Sequence, residues 1–197
     1  MKLLLLYPII FIIVLISSFR SVTQGKRIAP EAFPNDQVNI ADTFPVPKGN
    51  KNMAFYVQRT HNINTIVYEL NYNKDSTLNE KTPIHPYWIR YADKGETQEL
   101  SYIQNTYAYG IVSKVIDAEK KTFKINFVSY KKRDIFLVRS KNSNRYHAYI
   151  TINGKLSQLD RVFARIDGGT FWVPHITYVE ITGKDLNGNV VSEKIIP

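Results

Sequence analysis

The residues best suited to chemistry lie together in the segment HPYWIRY, which begins at His85. His85 can carry a proton, Trp88 offers a large aromatic surface, and Arg90 offers a guanidinium. Arg59 and His61 form a second polar group at the end of a predicted strand. If the fold brings these groups together, they predict a pocket for an anionic or sugar-like ligand, bound by bidentate hydrogen bonds and aromatic stacking. The alternative is structural, with the tryptophan in the core and the arginines in ion pairs.

An extended backbone would divide the HPYWIRY segment between the two faces of a sheet. Tyr87, Ile89 and Tyr91 would share one face, and Trp88 and Arg90 would share the other, because side chains alternate along a strand. The predicted pocket therefore depends on which face is covered by the rest of the chain.

Recognised catalytic signatures are missing from the sequence. It contains no G-x-S-x-G, Walker loop, G-x-G-x-x-G, H-E-x-x-H or calcium loop, and no cysteine for a thiolate or a disulfide. Its histidines, which are His61, His85, His147 and His175, do not pair at the spacing of metal ligands. We therefore expect no metal and no cofactor. A hydrolase would need His61 or His85 as general base near Arg90. The sequence shows no nucleophile and no pair of carboxylates at a spacing that would indicate hydrolysis.

Positive charge is concentrated in one part of the chain. The formal net charge is +9, or +7 without Lys2 and Arg20, and residues 114–145 hold ten basic residues against three acidic ones. We interpret this stretch as a patch that faces an anionic surface, such as phospholipid headgroups or acidic glycans. The alternative is a pair of solvated hairpins whose lysines protect sheet edges. Nucleic acid is not expected, because no recognition motif is present. The predicted patch consists of Lys120, Lys121, Lys124, Lys131, Lys132 and Arg133.

The chain begins with a candidate export signal. Residues 3–16 carry no charge and follow Lys2, which is the pattern of a signal peptide. The run is shorter than the roughly 20 residues of a spanning helix, which favours a cleaved signal. However, no position after it matches the Ala-x-Ala pattern of a cleavage site well, which keeps an anchor open. We predict a signal peptide or an N-terminal membrane segment at 1–23, with anchoring through 3–19 as the alternative. The protein is then expected in the periplasm or cell envelope.

The remainder divides into a linker at 24–50 and a β domain at 51–197. The linker is rich in proline and lacks periodicity. In the domain, alternation such as Phe123, Ile125 and Phe127 against polar neighbours indicates half-buried antiparallel strands. About ten such strands at short spacing predict an antiparallel barrel or sandwich. One short helix is expected near 96–107. The predicted strands are 54–59, 64–72, 86–91, 110–117, 122–130, 135–141, 145–152, 155–166, 175–183 and 190–196.

Several segments resemble a known family. They are FPVP at 44–47, QRT at 58–60, NTIVYEL at 64–70, YWIRY at 87–91 and AYG at 108–110. Together they resemble the bacterial domain of unknown function 4833, over about residues 43–196. The resemblance implies a bacterial envelope protein with a signal segment, and it brings no catalytic residues.

Three functions remain open at this point. The residues favour binding over catalysis, with a lipid or glycan ligand in the mouth of a tyrosine-rich barrel. A hydrolase acting on envelope polymers is the first alternative. An interaction subunit of an envelope complex is the second, and a large exposed apolar patch would indicate it.

Overall fold

The computed structural model describes residues 44–140 and 145–197. The predicted signal or membrane segment, and the predicted linker up to residue 43, lie outside the described residues. Within them the protein is mainly β, with eleven strands in one curled sheet that forms a half-barrel and one short helical segment. The predicted mainly β fold with a short helix is confirmed.

The strands alternate with short turns along the chain. They are β1 (Met53–Arg59), β2 (Asn62–Leu70), β3 (Ile84–Arg90), β4 (Glu96–Glu99), β5 (Ile111–Asp117), β6 (Thr122–Phe127), β7 (Tyr130–Arg139), β8 (Tyr146–Ile152), β9 (Lys155–Gly169), β10 (Pro174–Asp185) and β11 (Val190–Ile195). A 3-10 turn occupies Tyr91–Asp93. The helical segment α1 comprises Tyr102–Gln104 and a following π-helical turn, Asn105–Tyr109.

The long strand β9 joins the parts of the sheet. The strand order is β4-β3-β2-β1-β9-β8-β7-β6-β5, with β10 and β11 branching from β9. Residues 155–158 of β9 pair with β8, whereas residues 161–164 pair in parallel with β1. The other edge of β9 pairs with β10, with register shifts that increase local twist. This change of partner allows one sheet to curl around a single core.

The core is centred on three aromatic rings from opposite parts of the sheet. Phe55 of β1 stacks on Tyr68 of β2, with ring centroids 4.5 Å apart. Phe127 of β6 meets Tyr68 edge-on at 5.4 Å. Edge-to-face and offset-stacked rings are the arrangements that aromatic quadrupoles favour. The predicted inward alternation of β6 is confirmed, because Phe123 and Ile125 are also buried.

Helix α1 begins later than the sequence pattern predicted. Residues 96–99, at the start of the predicted helix, pair with β3 as β4. Ser101 then caps the helix: its hydroxyl accepts a hydrogen bond from the Gln104 amide, and the Gln104 side chain accepts one from the Ser101 amide. Gly110 ends it, because a Cβ there would collide with the Asn105 carbonyl. Capping and edge pairing thus override the apolar spacing that favoured an earlier start.

The β6–β7 turn also lies elsewhere than predicted. Residues 131–134 were expected to connect two strands, but they belong to β7. Phe127 pairs with Tyr130, so the connection is residues 128–129. A run of charged residues can occupy an exposed strand as readily as a turn, which explains the difference.

Residues 44–50 lie on the outer face of the sheet. The Gln58 amide donates hydrogen bonds to the Pro45 carbonyl at 2.8 Å and to the Thr65 hydroxyl at 3.0 Å. Phe44 packs edge-on against Phe163 of β9 at 5.4 Å. We call residues 44–50 the arm. The described end of the predicted linker is therefore attached to the sheet.

The bond between β2 and the end of α1 yields a stability prediction. The buried Tyr68 hydroxyl donates to the Tyr109 carbonyl at 2.8 Å, and burial raises the pKa of Tyr68 well above its usual value. Tyr68→Phe leaves that carbonyl unpaired and should lower the free energy of unfolding by about 1–3 kcal/mol in denaturant titration. Tyr130→Phe, which removes a hydroxyl from a residue that is 45% exposed, is the control. Equal stability of the two variants would contradict this role.

Candidate functional site

The two predicted site histidines lie at opposite ends of β2. His61 lies in the turn between β1 and β2. His85 lies in β3 opposite Glu69, and its Nε2 is 2.8 Å from the Glu99 carboxylate. Since β2 begins at Asn62, most of its length separates them, roughly 20 Å at the usual rise per residue. The structure does not bring these histidines together as a hydrolytic pair.

Trp88 and Arg90 share the inner face of β3, as the alternation predicted, but each has a structural partner. Trp88 is only 5% exposed, and its indole donates to the Gln104 side chain at 3.3 Å. The Arg90 guanidinium contacts Asp93 at 2.8 Å and Gln98 at 3.1 Å. The alternative of a core tryptophan beside a paired arginine fits these two residues.

Arg59 is the last residue of β1, two residues before His61. Its Nε atom is buried and has no hydrogen-bond partner among the described residues. The two cavities described below are lined by other side chains. Neither is lined by Arg59, His61, His85, Trp88 or Arg90.

Arg133, from the predicted basic patch, has a structural role. Its guanidinium makes a bidentate ion pair with Glu193 of β11 and also donates to the Thr151 carbonyl at 3.2 Å. Glu193 accepts a further hydrogen bond from the Asn153 amide at 2.9 Å. This network fixes β11 against β7 and the β8–β9 turn, in which Asn153 and Gly154 have positive φ angles.

Two of the patch lysines have acidic partners. The Lys120 amine lies 3.1 Å from Asp117, and the Lys124 amine lies 3.4 Å from Asp134. Such exposed pairs contribute little to stability, but they reduce the local positive charge. Lys131 and Lys132 are exposed and form no ion pair with the described residues.

Lys121 lies at the rim of a small polar pocket of about 210 Å³. Leu78, Phe123 and Tyr146 form its apolar part, and Arg139 lies across from Lys121. Asp75 and Glu80 also line it, so its charged side chains balance. The pocket is adjacent to the core and has the size of a small polar molecule.

A larger groove of about 530 Å³ lies between the arm and the outer face of β3. Tyr87 and Ile89 line it because alternate residues of β3 share one face, and Tyr91 of the following 3-10 turn lines it too. The arm contributes Val46 and Asn50, and β2 contributes Glu69. Tyr87, Ile89 and Tyr91, which the sequence alternation placed on one face, thus form the floor of this groove.

Hydrogen bonding fixes the position of the groove's first tyrosine. The Asn50 amide donates to the Tyr87 hydroxyl at 2.8 Å. Burial raises the pKa of Tyr87, and the carboxylates of Glu69 and Glu99 raise it further, against the Asn50 hydrogen bond. Burial likewise raises the pKa of Tyr91. Both phenols therefore stay neutral at physiological pH, when they can stack and hydrogen-bond but not act as nucleophiles.

Glu69 provides a polar group beside this aromatic floor. Its carboxylate has no hydrogen-bond partner among the described residues, and Lys48 on the opposite wall supplies a positive charge. The groove therefore combines aromatic surface with donors and acceptors and has no excess charge. Sequence reasoning missed Val46, Asn50 and Glu69, because nothing in the residue types shows that the arm folds back over β2.

The fold is a β half-barrel with a groove on its outer face. The chain belongs to the family described as domain of unknown function (DUF4833), which it matches over residues 55–194. This confirms the resemblance inferred from the segments above. No curated protein and no solved structure matches the chain. Across 44–140 and 145–197, no helix is long and apolar enough to cross a membrane.

The Arg133–Glu193 pair predicts a pH-dependent contribution to stability. The Arg133 hydrogen bond, followed by the Asn153 amide, lowers the pKa of Glu193. Its contribution should be present above the unfolded pKa of about 4.3 and be lost as pH falls through the lower folded pKa. Glu193→Gln should cost about 1–3 kcal/mol near neutral pH in denaturant titration, and the difference from wild type should shrink in acid.

Glu99→Gln is the matched control for this experiment. It removes the same charge from a carboxylate that is 74% exposed in its pair with His85, so little change is expected. A cost of Glu193→Gln that stays constant into acid would contradict the electrostatic explanation and indicate lost packing instead.

Proposed function

We propose that this protein is a non-enzymatic binding module of the bacterial cell envelope that holds a glycan in the groove beside the arm. The observation that carries the proposal is the row of Tyr87, Ile89 and Tyr91 on one side of Asn50 and Glu69. Flat aromatic surface next to fixed polar groups suits a sugar ring, which has an apolar face and a hydroxyl-bearing edge.

The charge of the groove favours a neutral sugar. Lys48 and Glu69 are the charged side chains that line it, and their charges balance. An uncharged glycan would not require the burial of an unpaired charge. We favour amide-bearing sugars, because an acetamido group adds a methyl for the aromatic floor to an amide that can hydrogen-bond with Asn50 or Glu69. We therefore favour an oligosaccharide of N-acetylhexosamine units.

A glycan fits the protein better than a lipid held inside the half-barrel. Interior side chains such as Phe55, Tyr68 and Leu137 are at most 1% exposed and belong to one packed cluster. Protein interiors packed in this way have few voids larger than a water molecule. A long acyl chain would have to displace that core.

Binding is also favoured over hydrolysis. The groove floor offers neutral phenols, and His61 and His85 do not meet at a common site. General acid–base catalysis needs its groups within hydrogen-bond reach of the same substrate atom. Glu69 is the carboxylate that lines the groove, and Glu99, the second carboxylate near Tyr87, lies 2.8 Å from the His85 ring nitrogen.

The envelope location rests on the N-terminal sequence. The uncharged run at 3–16 after Lys2 has the pattern of an export signal. An exported domain meets cell-wall and surface polysaccharides, which agrees with a glycan ligand. Retention of the segment as an anchor through 3–19 would keep the groove at the membrane surface.

Calorimetric titration with chitotetraose, a β-linked N-acetylglucosamine oligomer, tests the proposal. We expect saturable binding to the wild-type protein. Tyr87→Ala and Tyr91→Ala should each weaken it roughly tenfold, because stacking area is lost. Glu69→Gln should weaken it by a similar factor, because a charge-assisted hydrogen bond is replaced by a neutral one.

Tyr130→Ala, on β7 away from the groove, is the control and should bind like wild type. Unfolding curves of every variant show whether the domain remains folded. Absence of chitotetraose binding, or equal weakening by Tyr130→Ala, would contradict a glycan site in this groove. Release of shortened oligomers on incubation would instead support the hydrolase alternative.

A further inference from the structure

Large apolar side chains are exposed together at one place on the protein. Trp172 is 64% exposed and Val173 is 75% exposed, in the loop between β9 and β10. The Trp172 ring lies 4.9 Å from that of Phe171 and 5.8 Å from that of Tyr107 in α1. Tyr102 of the same helix is 77% exposed. We call these side chains, together with Ile103, the aromatic tip.

The local backbone keeps this loop in a defined shape. The Thr170 amide donates to the Val173 carbonyl at 3.0 Å, and the Val173 amide donates to the Thr170 hydroxyl at 3.1 Å. Gly169 has φ +83°, and a Cβ there would collide with the Val173 carbonyl. The loop is thus built as a tight turn that presents its apolar residues to solvent. Soluble domains rarely expose such a patch without a use for it.

The aromatic tip carries no charge of its own. Residues 102–109 and 168–174 contain no acidic or basic side chain. The neighbouring Asp167 is engaged by the Thr177 hydroxyl at 2.6 Å and by the Arg165 guanidinium at 3.0 Å. Acidic groups therefore do not repel an anionic surface from the tip.

Positive charge flanks the tip on one side. The Ser129 hydroxyl donates to the Ala108 carbonyl of α1 at 2.6 Å, which places the β6–β7 turn against this helix. Lys131 and Lys132 follow that turn on opposite faces of β7, are exposed, and have no ion pair within the described part of the chain. Of the predicted basic patch, these lysines remain available for an external anion.

We propose that the aromatic tip docks into an anionic phospholipid surface. Tryptophan and tyrosine are the side chains that partition to the bilayer interface, where one part of the ring is apolar and the other meets water. Phe171 and Val173 add the apolar area that interfacial binding requires. Lys131 and Lys132 supply the attraction to anionic headgroups. The proposal is independent of the glycan groove.

The two tryptophans make the test direct. Trp88 is 5% exposed in the core, so a change in emission on binding reports Trp172. The full-length protein is mixed with vesicles of phosphatidylcholine and phosphatidylglycerol, or of phosphatidylcholine alone. We expect a blue shift and quenching by bromine-labelled lipid, stronger with the anionic vesicles.

Variants that keep the Trp172 reporter test the remaining contacts. Phe171→Ser with Val173→Ser should weaken the fluorescence-detected affinity at least about tenfold. Lys131→Gln and Lys132→Gln should each weaken it roughly fivefold with anionic vesicles. The control, Leu186→Ser with Val190→Ser, removes equally exposed apolar groups from the opposite end of β10 and should leave it unchanged.

Other results would overturn the inference. Emission that stays unchanged while the protein floats with vesicles would mean that another segment binds them. A blue shift that follows protein concentration without vesicles would mean that a second copy covers the tip. If the Phe171→Ser, Val173→Ser double variant binds vesicles as tightly as wild type, the β9–β10 loop does not contact the membrane.

Discussion

The divided pairing of β9 is the constraint on which the rest of the structure depends. One edge of this strand pairs first with β8 and then with β1, while the other edge pairs with β10. The chain can then bury Phe55 and Phe127, from distant strands, in one core. Because the inner face is filled in this way, the groove lies on the outer face.

The groove forms where another part of the chain covers the outer face. The arm lies over β1 and β2, held by the bond from Gln58 to the Pro45 carbonyl. The groove lies between the arm and β3, where the Asn50 amide donates a hydrogen bond to the Tyr87 hydroxyl. The aromatic tip arises differently, because β9 and β10 extend together to a turn that meets α1. The glycan and membrane proposals thus concern two separate regions.

Sequence alternation predicted most strands, but not the contacts between distant ones. The spacing of Phe123 and Ile125 is a local signal, and the buried face that it predicted was confirmed. The pairing of β4 with β3 could not be predicted, because residues 96–99 lack a strand pattern. The parallel pairing of β9 with β1 depends on loop closure across most of the domain, which no local pattern encodes.

Residue type was a weaker guide to the site. Trp88 and Arg133 have side chains suited to ligands, yet one fills the core and the other holds Glu193. Large aromatic and bidentate groups suit internal packing and ion pairing as well as recognition, so type alone does not separate these uses. The face shared by Tyr87 and Tyr91 was predictable, whereas its cover by the arm was not.

The most direct test of the central claim is an amide chemical-shift map of the protein during titration with chitotetraose. The account predicts shifts confined to the arm, to Tyr87–Tyr91 of the floor, to Glu69 of β2, and to the neighbouring β4. Shifts centred on the pocket of Tyr72 and Tyr146, or no shifts at saturating sugar, would contradict it.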